Sequence, residues 1–195
     1  MNIREEVFCE TRQDLRQWLI LNHTRTDGVW VVFYKKSTGL GDVCWESIVE
    51  ECLCVGWIDS VPGKVDATKT KIYISPRKPN SGWSRRNKLL LVELEKSGML
   101  TDAGRDAIVR AKANGSWCRF DRAENLIVPD ELSDCFVYDQ LFRISWDKLS
   151  DAKKRQLLQQ IYDTKTPPTR YKQIKRIRDV IVSEHAVHES KENNE

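Results

Sequence analysis

The sequence feature that most constrains the fold is an amphipathic stripe that begins at a tryptophan. Apolar side chains recur there at i, i+3, i+4, i+7 and i+8, namely Trp45, Ile48, Val49, Cys52 and Leu53. This spacing places all five on one face of an α-helix, and Gly56 is the type of residue that ends a helix. We therefore predict a helix here, with the whole stripe, Trp45 included, in the core.

Segments of strand character lie on both sides of this helix. Residues 29–34 form a β-branched and aromatic run, residues 57–59 form a shorter one, and residues 69–75 alternate between polar and apolar side chains. Pro62 and Gly63 predict a turn between the last two segments. Together these segments predict a small sheet.

Capping residues mark further helices along the chain. Each precedes a segment with helical apolar spacing, and they are Thr11, Ser84, Thr101, Ser150 and Thr169. The pattern loses its period around residues 119–128. The sequence thus predicts the α+β class, with a mostly helical body and a small sheet over residues 1–120. A C-terminal helical module over residues 125–185 and a disordered tail over residues 186–195 are predicted to follow.

Composition and cysteine usage exclude several classes of protein. The chain has 195 residues, of which 40% are hydrophobic and 31% charged, as in an ordinary globular protein. No apolar run approaches the roughly 18 residues of a membrane span, and no secretory signal is recognisable. We therefore predict a cytoplasmic protein without integral membrane association. Six cysteines without a CxxC pair then predict reduced thiols.

The net charge of +3 is distributed unevenly. Residues 69–88 contain seven bases and no acid, which leaves 25 bases against 29 acids in the rest of the chain. Such asymmetry indicates an anionic partner. Residues 164–178 carry six further bases without an acid. This second run predicts either a nucleic-acid or membrane-surface face, or the solvated side of a helix that docks through its isoleucines.

A set of short motifs adds a resemblance to a known family. Gly56-Trp57-Ile58-Asp59 is followed by an element made of Pro76, Arg77, Pro79, Ser81, Trp83, Ser84 and Asn87. Residues 98–104 (Gly-Met-Leu-Thr-Asp-Ala-Gly) and residues 111–117 (Ala-Lys-Ala-Asn-Gly-Ser-Trp) continue the pattern, as does a helix opened by Pro129. These motifs resemble the YdeI/OmpD-associated family, also called bacteriocin-protection proteins. The resemblance covers most of residues 29–182.

This resemblance implies a cytoplasmic bacterial protein loosely connected with stress, envelope or antimicrobial-peptide tolerance. It implies no established reaction, cofactor or catalytic residue. Family members carry Glu-Thr-Arg in the C-terminal element, where this chain has Pro168-Thr169-Arg170. Any role of that glutamate therefore does not carry over to this chain.

The segment from Arg77 to Lys88 is the predicted binding site. An arginine fork grips phosphate or carboxylate, a tryptophan offers a stacking face, and a helix that starts at Ser84 attracts an anion. The predicted ligand-binding residues are Trp57, Asp59, Arg77, Trp83, Ser84, Arg85, Arg86 and Asn87. The alternative is that Trp83 packs in the core while the bases form a solvated face. A pocket enclosed by Trp57, Trp83 and Trp117 is a further hypothesis.

Candidates for chemistry are few. Asp59 follows a predicted strand and is the catalytic candidate, although a salt bridge to an arginine within residues 77–86 is the alternative role. His23 is predicted to end the first helix, and His185 with His188 lacks a third metal ligand. We therefore predict no metal and no cofactor.

These observations favour a non-catalytic binding or regulatory protein that holds an anionic ligand on a basic, tryptophan-containing loop and helix N-terminus. The ligand classes considered are nucleic-acid phosphate, a nucleotide and an acidic envelope molecule. One alternative is a small enzyme that uses Asp59 with Arg77 or Arg85 on an acidic substrate. The other is a protein-interaction module whose C-terminal helices dock a partner. The oligomeric state stays open.

Overall fold

The structure is a computed structural model that describes the backbone of residues 5–192 and the side chains of residues 5–184. The chain divides into two compact units, residues 1–119 and residues 120–195. The first unit combines a four-stranded mixed sheet with helices, and the second is helical. The predicted α+β class is therefore confirmed. No helix among the described residues has the length and apolar character that crossing a membrane requires.

The sheet contains β1 (Glu6–Phe8), β2 (Val29–Tyr34), β3 (Trp57–Lys64) and β4 (Lys69–Pro76) in the spatial order β1-β2-β4-β3. β1 runs parallel to β2, whereas the β2–β4 and β3–β4 pairs are antiparallel. Alternate residues of β2 face the core because successive side chains of a strand point to opposite sides. The strands predicted for residues 29–34 and 69–75 are confirmed.

Two features of the sheet differ from the sequence prediction. β1 has three residues, which is too short to show a strand pattern. The predicted turn at Pro62 is wrong, because β3 continues through it as an edge strand, where a missing N–H breaks no pairing. A bulge between Asp59 and Pro62 accommodates the irregularity. The turn lies at Asp66, whose Oδ1 accepts the backbone N–H of Lys69 at 2.7 Å.

Four longer helices complete the first unit: α1 (Arg12–Asn22), α2 (Trp45–Cys54), α3 (Arg85–Lys96) and α4 (Asp102–Ala113). Short 3-10 helices lie at Lys36–Thr38 and Ser116–Cys118. One apolar cluster joins α1 and α2 to the sheet, and a second joins α2 to α3 and α4. α2 contributes to both clusters and is therefore the central element of this unit.

A buried carboxylate connects α1 with α2. Glu51 is only 1% exposed, and its two oxygens accept bonds from Arg12 Nε at 2.7 Å and Arg16 Nη1 at 2.8 Å. Its neighbour Glu50 pairs with Arg12 at the surface. Buried charges are tolerated when they are paired and hydrogen-bonded in this way. The Glu51 pairs therefore fix how the first two helices pack.

α4 begins against the C-terminal end of α2. The backbone oxygen of Cys54 accepts both the N–H and the hydroxyl of Thr101, at 3.0 and 2.7 Å. Gly104 lies one turn further on, and a Cβ built there would come within 2.4 Å of the same oxygen. Only a residue without a side chain permits this approach. The predicted caps at Ser84 and Thr101 are confirmed, since each hydroxyl accepts a backbone N–H of its helix.

The second unit contains α5 (Asp121–Glu124), α6 (Asp130–Tyr138), α7 (Gln140–Asp147), α8 (Asp151–Tyr162) and α9 (Pro167–Glu192). Apolar side chains of α6 to α9 form its core, including Ile174, Ile177 and Ile181 as predicted. Asp139 caps α7 by accepting the N–H of Phe142 at 2.9 Å, and it also accepts a bond from Arg178 of α9 at 2.9 Å.

The start of α9 differs from the sequence prediction, and its end lies close to the limit of the described residues. The helix begins at Pro167, and the Thr166 hydroxyl accepts the Thr169 N–H at 3.4 Å. The predicted cap at Thr169 is therefore wrong by one turn. The backbone of α9 continues to Glu192, and residues 193–195 lie outside the described residues. The irregular tail expected for residues 186–195 stays a prediction.

Candidate functional site

Arg77 stands at the point where β4 passes into an irregular loop. Its backbone N–H donates to Gly56 O at 3.1 Å, and its Nη1 donates to Gly82 O at 3.0 Å. The centre of its guanidinium lies 3.7 Å from the centroid of the Trp83 ring, a direct cation–π contact. The loop itself is held at Pro79 O, which accepts bonds from the Asn114 amide and the Ser116 hydroxyl.

The opposite edge of this guanidinium, formed by Nε and Nη2, is buried. Nε and Nη2 of Arg77 are shielded from solvent, and neither has a hydrogen-bond partner within the described part of the chain. Burial lowers the pKa of Arg77 to about 10, although the nearby Cys52 and Asp59 act in the opposite direction. Arginine carries its donors in a rigid fork, so this shielded pair keeps two donors that the fold itself does not use.

Trp83 and Trp57 are core residues rather than exposed stacking faces. Each is 1% exposed. Trp83 is covered by Arg77 and by Trp117, whose ring centroid lies 5.3 Å away. Trp57 belongs to the other apolar cluster, where it packs against Trp18 and donates its Nε1–H to the backbone. Trp57 therefore does not share a pocket with the other two, and neither predicted ring has a free face.

An exposed tryptophan lies at this site instead. Trp45 was expected in the core, but this prediction is wrong because 52% of the residue is exposed. It is the first residue of α2, and a helical side chain leans toward the N-terminus, away from the turns that pack on the sheet. Its Nε1 donates to Asp59 Oδ2 at 2.8 Å. Its place at a helix start is the sequence signal that could have identified it.

Asp59 and the start of α3 complete the site. Asp59 makes no ion pair with an arginine among the described residues, and the Trp45 indole is its partner instead. Ser84 caps α3 by accepting the Asn87 N–H at 3.3 Å, and the side chain of Arg86 is exposed. The Arg86 guanidinium lies 6.0 Å from the Trp45 ring centroid.

The structure thus brings together part of the predicted site. Contacts or charge effects connect Asp59, Arg77, Trp83 and Arg86 with the unexpected Trp45. Arg85 is exposed on the first turn of α3. The arrangement offers cationic donors, an aromatic face and one carboxylate, which suits binding of an anion more directly than it suits a proton-transfer reaction.

Other candidates named from the sequence lie elsewhere or outside the described residues. His23 ends α1, where its Nδ1 lies 2.8 Å from Ile20 O. The side chains of His185 and His188 lie outside the described residues. Within the part of the chain that the structure describes, no group of three metal-ligating side chains is found.

Two family profiles match different parts of the chain. The first is described as "Domain of unknown function (DUF8412)" and matches residues 7–107, more than half of the sequence. The chain belongs to this family. The second, described as "Bacteriocin-protection, YdeI or OmpD-Associated", matches residues 125–182 of this DUF8412 chain. The resemblance to the YdeI/OmpD-associated family is thereby confirmed, and the match lies in the helical second unit.

The Arg77 site lies within the DUF8412 match, apart from the YdeI/OmpD-associated match. Gly56-Trp57-Ile58-Asp59 and the residues around Trp83 are therefore features of the DUF8412 part of this chain. No curated protein and no solved structure matches the chain.

Proposed function

We propose that this DUF8412 chain is a non-catalytic binding or regulatory protein that holds an anionic ligand at Arg77, beside the start of α3. The unpartnered Nε and Nη2 of Arg77 are the observation that supports the proposal. These two N–H groups point the same way and match two oxygens of one carboxylate or phosphate, which allows a bidentate, charge-assisted pair. Because both atoms are shielded, an anion reaches them only after neighbouring side chains move.

The surrounding charge supports the same ligand class. Arg85 and Arg86 lie on the first turn of α3, where free backbone N–H groups and the helix dipole also favour an anion. Asp59 has the opposite effect, because its negative charge repels an anion at Arg77. Asp59→Asn removes this negative charge but keeps an oxygen that accepts the Trp45 indole N–H. This variant should therefore bind anions more tightly than the wild type.

The first test follows the arginine side chains directly. Protein labelled with ¹⁵N is titrated with inorganic phosphate while the arginine Nε–H signals are recorded. We expect the Arg77 signal to shift on binding, and Arg77→Gln to abolish binding. Arg110→Gln is the matched control, because it removes the same charge from an exposed position on α4. The proposal fails if phosphate and simple carboxylates leave the Arg77 signal unchanged.

A nucleic acid is one source of such phosphate. Binding of labelled single-stranded DNA and RNA, followed by fluorescence anisotropy across a salt series, tests this source. Phosphate contacts predict that affinity falls steeply as salt rises, and that Arg85→Glu/Arg86→Glu removes binding. The alternative is a small enzyme that uses Asp59 with Arg77 or Arg85 on an acidic substrate. Turnover of such a substrate by the wild type, lost in Asp59→Asn, would indicate this alternative instead.

The family description of the second unit suggests a biological setting for this binding. We propose a connection with bacteriocin protection, in keeping with the description of the matched YdeI/OmpD-associated profile. A cytoplasmic location and a role in stress or envelope tolerance belong to the same proposal and rest on the sequence and its family resemblance alone. A deletion strain challenged with a bacteriocin, and complemented with wild type or Arg77→Gln, tests this connection. Equal protection by the wild-type gene and the Arg77→Gln gene would show that peptide tolerance does not depend on the Arg77 site.

Exposed apolar side chains favour a second candidate function for the helical unit. Tyr138 is 90% exposed, and Val137, Leu141 and Ile144 are exposed on α6 and α7. A groove of about 700 Å³ lies beside Tyr138, between α6, α7 and α9. Exposed apolar surface of this kind is common at protein-interaction sites. Under this candidate function, Tyr138→Ser/Leu141→Ser abolishes partner binding and leaves phosphate binding intact.

A further inference from the structure

The exposed ring of Trp45 is held in one orientation. Its indole N–H donates to Asp59 at 2.8 Å, while more than half of the residue is exposed, at 52%. Leaving a large aromatic residue at the surface forgoes the free energy of its burial. A ring that is both exposed and fixed has already lost the side-chain freedom that stacking on a ligand would otherwise remove.

Two arginine–tryptophan pairs at this site differ in their separation. The Arg77 guanidinium lies 3.7 Å from the Trp83 centroid, which is direct contact. The Arg86 guanidinium lies 6.0 Å from the Trp45 centroid, too far for two flat groups in contact. A planar ring between two flat groups needs about 7 Å, since each contact takes about 3.5 Å. A shift of about 1 Å by the exposed Arg86 side chain would therefore admit one aromatic layer.

Asp59 connects this aromatic face with the anion-binding edge. It accepts the Trp45 indole N–H, and its charge acts on the guanidinium of Arg77. Asp59 lies opposite Ile74 in the β3–β4 pair, three residues before Arg77, so the Trp45 ring and the unpartnered fork belong to one region of the same unit. A ligand that uses both needs a planar ring and a phosphate or carboxylate in one small molecule.

We infer that the ligand is a ring-bearing phosphate of the nucleotide class, whose base stacks on Trp45 beneath Arg86 while its phosphate pairs with Arg77. This inference rests on the proposed anion-binding function and adds the aromatic part of the ligand. Base stacking on an aromatic side chain is largely independent of which base is present. The site is therefore selective for a nucleotide over a plain anion, with weak preference among the bases.

The test compares two probes that differ only in the base. Dissociation constants of adenosine 5′-monophosphate and ribose 5-phosphate are measured by calorimetry on the wild type. We expect adenosine 5′-monophosphate to bind at least about 10-fold more tightly than ribose 5-phosphate, because one base–aromatic stack accounts for a difference of this size. Trp45→Leu should reduce this preference to near unity while ribose 5-phosphate binds as before. Trp45→Phe should keep most of the preference, since it keeps a ring.

Tyr138→Leu is the matched control, because it removes an exposed aromatic ring from the other unit. Equal binding of both probes by the wild type, or a preference that survives Trp45→Leu, overturns the stacking inference while phosphate binding at Arg77 stands. Failure of both probes to bind overturns the inference, and the titration with phosphate and simple carboxylates then decides separately whether anion binding at Arg77 stands. Circular dichroism confirms that the variants are folded, which is expected because Trp45 is exposed.

Discussion

Arg77→Met separates a structural role of this arginine from a binding role. Methionine keeps an unbranched chain of similar length against Trp83 but removes the charge and the unpartnered donors. A buried arginine that served stability would have its donors satisfied, and its removal would be costly. For a binding arginine we expect little loss of stability without an anion and a clear loss of anion-dependent stabilisation.

The magnitude follows from opposing contributions. Burial lowers the pKa of Arg77 to about 10, well below the ordinary value of an arginine, and at about 1.4 kcal/mol per pKa unit the charge costs the folded state about 3 to 4 kcal/mol. Methionine removes this cost but loses the bond to Gly82, worth about 1.5–3 kcal/mol, and a desolvated cation–π contact of about 2 kcal/mol. The free energy of unfolding should therefore stay within about 2 kcal/mol of the wild type.

The assay is chemical and thermal unfolding with and without phosphate. At a phosphate concentration 100 times its dissociation constant, the wild type should gain about 2.7 kcal/mol, or about 5 to 10 °C in Tm. Arg77→Met should gain nothing, and Arg110→Met should respond like the wild type. If Arg77→Met loses more than about 3 kcal/mol without phosphate, and phosphate stabilises no variant, Arg77 is structural and the reasoning is refuted.

Three further predictions concern the framework of the two units. Glu51→Ala leaves two arginines without their buried partner and should cost about 3–5 kcal/mol in urea unfolding, against under about 1 kcal/mol for the surface control Glu50→Ala. Gly104→Ala should cost about 1–3 kcal/mol through its clash, while Asp106→Ala changes stability by at most about 0.5 kcal/mol. The backbone N–H of Phe142 on α7, and secondly the side chain of Arg178 on α9, hold the pKa of Asp139 below its ordinary value. The unfolded chain therefore binds more protons, stability falls as pH drops through this range, and Asp139→Asn should flatten the stability curve below about pH 4.

Local features of the fold could be predicted because their causes are local. The Ser84, Thr101 and Ser150 caps use a hydroxyl and a backbone N–H three residues away, so the interaction is complete within one turn. The strand at residues 29–34 and the isoleucine face of α9 follow from side-chain periodicity, which the sequence displays directly.

Predictions failed where a distant partner decided the outcome. The strand β3 continues through Pro62 because β3 lies at the edge of the sheet. The order of the strands decides which strand lies there. Trp45 has the right spacing for the core, yet the sheet and α1 cover only the later turns of α2. Periodicity gives the face of a helix but not how far along that face the neighbouring elements extend.

The sequence by itself determined the α+β class, most element starts, and the concentration of positive charge in residues 69–88. It also pointed to Arg77, since arginines beside a helix start are a local pattern. Only the tertiary structure decided that Trp83 is buried beneath Arg77, that Trp45 is exposed, and that Asp59 accepts the Trp45 indole N–H. Burial and side-chain pairing depend on residues far apart in the chain, whose meeting is set by the packing of whole elements.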